Sequence, residues 1–195
     1  LNRIQPSASA RRLAHSCATH LCTHTVSQSQ GLAWQGSHCQ RPLLGFSHGA
    51  AGIAWALQAF LDSGIGPELQ AQAKACVHGA LSFEMDWFNR TGGDWPDLRQ
   101  VDQNLDALTQ SAQMKAWCHG APGIALSRYL LDPQQRDADL TGQLETAVSL
   151  TLARPCLDNM SLCHGFLGNL WIVDYLGEKL GRPDWQVTVH QQLEA

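Results

Sequence analysis

An all-α fold built from repeated helix pairs is predicted by three observations on this 195-residue sequence. Apolar residues recur every three or four positions along most of the chain, which is the spacing of an amphipathic helix. The alternation typical of a strand occurs only in the short run WQVTVH, residues 185–190. One glycine-containing loop is also written three times, as is typical of a repeat architecture.

The composition indicates one globular domain with a substantial core. Hydrophobic residues make up 44% of the chain, charged residues 15%, and the formal net charge is -4. This balance gives no electrostatic reason to expect nucleic-acid binding. We find neither an apolar run of membrane-spanning length nor a charged-then-apolar leader, and we therefore expect a cytoplasmic protein.

Outside the segments that directly follow the repeated loops, the spacing of apolar residues predicts four amphipathic helices. The segment 9–26 repeats Leu13, Cys17 and Leu21 at every fourth position, with Ala14, Ala18 and Cys22 alongside. In the segment 67–88 the apolar stripe continues, and Pro67 suits a first helical turn. Two further helices are predicted over 101–113 and 139–153, and breakers lie at 62–67, 89–97, 131–137 and 153–155.

The three similar loops read GFSHGAAGI at 45–53, AWCHGAPGI at 116–124 and SLCHGFLGN at 161–169. Each has two glycines three positions apart. The first glycine can take a positive φ, and the second allows a helix start to pack closely on a neighbour. Each loop opens onto a segment apolar on more than one face, so these three segments predict an inner layer of buried helices. Equivalent loops at equivalent helix ends would converge at one mouth of the assembly.

Two of these loops carry adjacent cysteine and histidine residues. Cys118, His119, Cys163 and His164 are thiol and imidazole donors, which together form a zinc ligand set. Four ligands would make a closed structural site, and three would leave a position for water or substrate. The pattern leaves both arrangements open, together with plain burial of the two cysteines.

The remaining cysteines and histidines are predicted to be structural. The chain has seven cysteines, an odd number without the dense spacing of a disulfide scaffold, so metal ligation or burial is favoured over disulfide bonding. Cys17, His20, Cys22 and His24 resemble a second ligand set, but they point from partly different helix faces. The polar turn from Asp94 to Arg99 is interpreted as structural rather than peptide-binding. Cys39 and Cys156 carry no pattern.

The loop motifs GFSHGAAGIAWAL, WCHGAPGIALSR and SLCHGFLGNL resemble the cyclase domain of class II lanthipeptide synthetases, the LanM branch of the lanthionine cyclase-like (LanC-like) family. The segment LSFEMDWFNRTGGDWPDLR, 81–99, resembles the stretch between the first two motifs in that branch. The likeness runs from about residue 40 to about residue 175. It implies an α/α toroid of nested inner and outer helices with a zinc ion at its mouth.

The resemblance also implies roles for individual residues. Cys118, Cys163 and His164 match the family's zinc ligands, and His48 matches its acid/base histidine. His119 follows the first ligand at a position that is not a ligand in the family, which favours the open site. The implied reaction adds a peptide cysteine thiolate to dehydroalanine or dehydrobutyrine, forming a thioether ring in a lanthipeptide (lantibiotic).

The resemblance further implies that residues 1–195 form a partial cyclase domain and an incomplete ring. The early repeats and the final glycine-rich repeat have no counterpart, and the chain starts at Leu1 and stops within an apparent element, so we expect a piece of a larger protein. The implied partners are a dehydrated precursor peptide and a dehydratase domain in the full-length chain. Two alternatives stay open, namely a non-catalytic zinc protein that binds thiols such as glutathione, and a structural zinc module with two cysteine and two histidine ligands.

Overall fold

Helices dominate the part of the chain that the structure describes. The computed structural model describes residues 7–36, 39, 41–91, 93–99, 115–153 and 159–194. Two short strands, β1 (Val26–Ser27) and β2 (Leu32–Ala33), pair antiparallel. The helix predicted over 101–113 lies outside the described residues. The helices are α1 (Ala8–Thr23), α2 (Ala50–Asp62), α3 (Gln70–Arg90, after a 3-10 turn at Pro67–Leu69), α4 (Ala121–Leu131), α5 (Ala138–Ala153), α6 (Phe166–Leu180) and α7 (Pro183–Glu194).

The helices are arranged as three pairs. α3 packs on α2, α5 packs on α4, and α7 packs on α6. The first members of these pairs also contact one another, because α4 lies between α2 and α6. This is an inner row of three helices backed by an outer row of three, so the prediction of an all-α fold of nested pairs is confirmed.

The outer helices α3 and α5 bury the stripes that the sequence predicts. In α3 the buried side chains include Ala73, Cys76, Ala80 and Phe83. In α5 they are Leu144, Ala147, Val148 and Thr151. Apart from the adjacent Ala147 and Val148, successive buried positions are three or four residues apart, and they therefore share one face of each helix.

In α1 only part of the predicted apolar face is buried. Leu13 is 66% exposed and Cys17 is also exposed, whereas Ala18 and Cys22 are buried. Ser7 caps this helix, because its hydroxyl accepts a hydrogen bond from the Ala10 backbone N–H at 3.2 Å. α1 contacts both α2 and α3, and Ala14 and Leu21 pack against the core as well.

The one short candidate for a strand, residues 185–190, is helical. These residues belong to α7, in which Trp185 and Val189 are buried and Val187 is 54% exposed. Burial at positions four apart is the helical period, and it follows from packing against α6. Alternation over six residues was too short to distinguish the two structures.

The inner helices are less completely buried than predicted. α4 is buried on most sides, but Trp55 of α2 is 38% exposed and Trp171 of α6 is 66% exposed. Leu167 and Tyr175 of α6 are exposed as well. One apolar face of the inner row therefore remains in contact with solvent. Within the described residues, we find no helix with both the length and the apolarity needed to cross a bilayer.

Candidate metal and catalytic site

The three repeated loops share one close backbone contact. A Cβ atom added at Gly52, Gly123 or Gly168 would lie 1.9 Å from the carbonyl oxygen of the residue six positions earlier. No side chain fits at that distance, so the second glycine of each loop allows the helix start to fold back on its own loop. A close approach was predicted for the second glycine, but the approach is to the loop's own backbone rather than to a neighbouring element, and the three loops are the same turn.

The prediction for the first glycine holds in only one copy. Gly120 has a φ of 98°, whereas Gly49 and Gly165 both have an extended φ of -130°. A Cβ at Gly165 would instead lie 2.1 Å from the Asn159 carbonyl oxygen. In these two copies glycine is required because a Cβ atom would collide with the backbone, and not because φ is positive.

The first two loops pack directly against each other through Gly45. Its φ is 93°, and an added Cβ would lie 2.5 Å from the Cys118 carbonyl oxygen. The Gly45 N–H donates to Glu84 Oε1 at 3.2 Å. Asn169 links the third loop to the second, because its side-chain amide donates to the Lys115 carbonyl oxygen at 2.6 Å. The loops therefore converge as predicted.

A buried ion pair lies beneath the first two loops, and one of its members, Glu84, also accepts the hydrogen bond from Gly45. Arg128 Nη1 donates to Glu84 Oε2 at 2.9 Å, and both side chains are fully buried. Arg128 Nε also donates to Gln143 Oε1 at 2.8 Å, so the pair joins α3, α4 and α5. Sequence reasoning missed this pair, although Arg128 is the one charged residue in the apolar segment 124–131 and could have signalled it.

The loops bring the three predicted metal ligands together. Cys118 Sγ lies 3.2 Å from His164 Nδ1, and Cys163 Sγ lies 3.7 Å from His164 Nε2. Cys118 is buried, whereas Cys163 and His164 are exposed. Burial raises the pKa of the Cys118 thiol, and the neighbouring Cys163 raises it further. The cluster is therefore buried on the side of Cys118 and open to solvent on the side of Cys163 and His164.

The chemistry of this donor set fits zinc. Two thiols and an imidazole are typical zinc donors, and a sulfur and a nitrogen bound to one zinc ion stand about 3.5 Å apart. The Cys118–His164 separation is close to that value. The two sulfurs face different nitrogens of the ring, however, and among the described residues no group of three or more donors has the arrangement of a metal site. The identity of the donors, rather than a preformed cage, supports the site.

His119 and His48 form a stacked pair beside this cluster. Their ring centroids are 5.2 Å apart and their planes are inclined by 20°. His119 is 1% exposed, whereas His48 is exposed. Burial lowers the pKa of His119 to about 4, and the positive charge of Arg99 lowers it as well, so this ring is neutral near pH 7. His119 Nε2 is buried, and the described residues provide no hydrogen-bond partner for it.

The turn from Asp94 to Arg99 lies close to His119, the buried member of the stacked histidine pair. Asp97 is fully buried, and its carboxylate accepts from Arg99 Nη2 at 2.6 Å. Burial raises the pKa of Asp97, but the Arg99 hydrogen bonds outweigh this and, together with the nearby His119, hold the pKa below its ordinary value. Asp94 pairs with Lys115 at 3.1 Å. The structural interpretation of the turn agrees with this burial, but its proximity to His119 was not foreseen.

The second candidate ligand set in α1 is not gathered into a site. Cys17 is exposed, whereas Cys22 is buried against Cys76 of α3. His20 and His24 stack with centroids 3.9 Å apart, and His24 Nδ1 lies 2.9 Å from the His20 carbonyl oxygen. Cys39 is half-buried against the core, and Cys156 lies outside the described residues.

Comparison with known proteins agrees with this geometry. All of residues 1–195 match the family described as "Lanthionine synthetase C-like protein". The chain belongs to the lanthionine synthetase C-like family. Among solved structures it is similar to one titled "Nisin cyclase", with 16% sequence identity and a TM-score of 0.70. That match covers 98% of this chain and 50% of the other, so the chain spans half the length of that cyclase. The likeness shows the helical toroid fold of the family.

Proposed function

We propose that this chain is the zinc-bearing part of a lanthionine cyclase domain, which adds peptide cysteine thiols to dehydroalanine or dehydrobutyrine. The observation that carries the proposal is the meeting of Cys118, Cys163 and His164 beside the stacked pair of His48 and His119. Membership of the lanthionine synthetase C-like family supports the reaction class. The order of the loop motifs and the segment 81–99 support a class II synthetase, with a dehydratase domain in the full-length chain.

We infer that Cys118, Cys163 and His164 hold the zinc ion and leave a coordination position open. When bound, zinc lowers the pKa of a thiol that reaches it, so the nucleophilic thiolate is present near neutral pH. The open side of the cluster, where Cys163 and His164 are exposed, is the side from which a peptide could arrive. Buried Cys118 anchors the ion to the second loop.

His48 is the proposed proton donor. Addition of the thiolate sulfur to the alkene β-carbon forms the C–S bond and moves the π electrons into an enolate. His48 would accept the proton that the substrate thiol releases and would then donate it to the enolate α-carbon, which returns the imidazole to its neutral starting state. Histidine suits this exchange because its ordinary pKa lies near neutral pH. The exposed His48 ring can reach a bound peptide, whereas the buried ring of His119 fixes its plane.

A cyclisation assay tests this proposal. Purified protein is loaded with zinc and incubated with a dehydrated precursor peptide, and unreacted thiols are then counted by alkylation and mass spectrometry. Cyclisation itself does not change the mass, so lost alkylation reports ring formation. We expect the wild type to consume thiols and the Cys163→Ala variant to do so far more slowly.

Two other results would point to the alternatives. Zinc binding with glutathione capture but without thiol consumption would favour a non-catalytic thiol-binding protein. A zinc ion that resists both substrate thiols and glutathione would favour a structural site. In either case the cyclase proposal would be wrong for this chain.

A further inference from the structure

A largely apolar cavity adjoins the candidate proton donor. Its volume is about 460 Å³, and His48 and Ser47 form its polar edge. The opposite walls include Phe46, Trp55 and Trp117. None of the described residues that line it carries a carboxylate, an ammonium or a guanidinium group. The cavity therefore offers apolar contact next to a single imidazole.

The aromatic walls form one connected group. The Phe46 ring lies between Trp55, at a centroid distance of 5.4 Å, and Trp117, at 5.9 Å. Phe46 is held by the loop packing, because its carbonyl oxygen abuts Gly52 and its Cβ abuts Gly123. The same loops that place His48 and Cys118 thus place the aromatic group, and its position relative to the site is fixed.

The exposure of Trp55 in this aromatic group indicates that a ligand could occupy the cavity. Trp55 lies on an inner helix and remains 38% exposed. Removal of a large indole ring from water is favourable, so a ligand that covers Trp55 would be stabilised by this contact. Trp117 directly precedes Cys118, so the cavity extends from His48 toward the proposed metal ligand. A peptide that presents a reacting residue to both groups would place a neighbouring side chain over the aromatic walls.

We propose that this cavity is a specificity subsite for one apolar or aromatic side chain of the peptide, at a position adjacent to the dehydrated residue. The inference rests on the proposed cyclase function. A charged side chain is disfavoured there because the described walls provide no partner for it and burial would remove its water. Filling such a pocket with an apolar side chain changes selectivity by about tenfold to a hundredfold.

A pair of matched peptides tests the subsite. The two carry leucine or lysine beside the same dehydroalanine, and kcat/KM is measured for each by thiol consumption. We expect the wild type to prefer the leucine peptide by about tenfold to a hundredfold. The Trp55→Ala variant should lose most of this preference, and Trp55→Phe should keep most of it. The control Trp171→Ala, which changes an exposed tryptophan of α6, should retain the wild-type preference.

Binding measured without catalysis separates failure of the subsite from failure of the cyclase proposal. The same peptides with alanine in place of dehydroalanine cannot react, and their affinity is measured by calorimetry. Apolar-selective binding that depends on Trp55, without turnover of the reactive peptides, would leave the subsite standing and contradict the cyclase function. Turnover without selectivity would overturn the subsite alone. A large loss of thermal stability in Trp55→Ala with unchanged selectivity would show that Trp55 packs against protein, and would also overturn it.

Discussion

The buried ring of His119 stacks on the exposed ring of His48, with 5.2 Å between their centroids. His119 is adjacent to the proposed ligand Cys118, so the stack links the second loop to the proposed proton donor in the first loop. The stack fixes the plane in which His48 could meet a substrate.

Replacement of His48 should remove catalysis without removing metal. We expect His48→Gln to slow thiol consumption by about a hundredfold to ten-thousandfold, the usual contribution of general acid–base catalysis. Because His48 is exposed, the free energy of unfolding should change by no more than about 0.5 kcal/mol. Zinc content and thiol consumption, measured on the same preparation, check this. Cyclisation at the wild-type rate would show that the proton comes from another group.

The second glycine of each loop should tolerate no side chain. Gly123→Ala and Gly168→Ala would each place a Cβ 1.9 Å from a backbone carbonyl oxygen, so the loop must move. We expect both variants to unfold at lower temperature and to bind zinc more weakly than the wild type. Thermal melts and metal titration provide the measurement.

Gly142 in α5 is the matched control for these two variants. A Cβ at Gly142 meets nothing within 4 Å, so Gly142→Ala should stabilise the helix slightly, by about 0.5–1 kcal/mol. Equal destabilisation by all three substitutions would contradict the close-contact explanation.

The buried pair of Glu84 and Arg128 should be sensitive to loss of one partner. Arg128→Met leaves the Glu84 carboxylate buried without its cation, and such a loss costs about 3–5 kcal/mol. We expect a large fall in the urea midpoint. The double variant Glu84→Gln with Arg128→Met should be less destabilised than the two single effects added together.

An exposed ion pair on α6 serves as the control for this experiment. Lys179 and Glu178 are both exposed at the surface, so Lys179→Met should leave the urea midpoint unchanged. A similar loss in both variants would mean that burial is not the cause.

Two buried thiols should make the fold sensitive to alkaline pH. Burial raises the pKa of Cys76 to about 11, and burial also raises the pKa of Cys22, with which it hydrogen-bonds. The unfolded chain releases these protons at lower pH than the folded chain. Stability is therefore fully present below the ordinary thiol pKa and is lost as the pH rises toward about 11.

The slope of unfolding free energy against alkaline pH measures this effect. Cys76→Ala should flatten the slope relative to the wild type, while Cys17→Ala, at an exposed thiol, should leave it unchanged. Identical slopes in all three proteins would assign the alkaline sensitivity to tyrosine and lysine residues instead.

Local patterns predicted the parts of the fold that local forces determine. The helical spacing of α3 and the breakers at 62–67 and 131–137 depend on residues near one another in sequence, and these predictions were confirmed. The alternation of Trp185, Val187 and Val189 covers too few residues to distinguish a strand from a helix, and this stretch is helical. Two adjacent rows of apolar residues were predicted in α1, and spacing alone could not show that Ala18 and Cys22 are buried while Leu13 and Cys17 are exposed.

The residues of the candidate site that lie in the repeated loops were predicted from the sequence, whereas the contacts that support those loops were not. Recurrence of the loop predicted that Cys118, Cys163 and His164 would meet, since equivalent turns occupy equivalent helix ends. The Glu84–Arg128 pair and the His48–His119 stack join residues 44 and 71 positions apart in the numbering. His48 and His119 occupy equivalent positions of two repeated loops, so the repeat places them near each other, whereas Glu84 lies outside any repeated motif and its pairing with Arg128 could not be read from the repeat.

The coordination shell of bound zinc tests the central claim most directly. X-ray absorption at the zinc edge would be measured on wild-type protein and on His119→Ala. We expect two sulfur ligands, one nitrogen ligand and one exchangeable light ligand in both proteins, because His119 stacks on His48 rather than joining the cluster. Two sulfurs and two nitrogens, with one nitrogen lost in His119→Ala, would contradict an open site and establish a structural one. Absence of bound zinc from the purified, zinc-treated protein would contradict the metal site altogether.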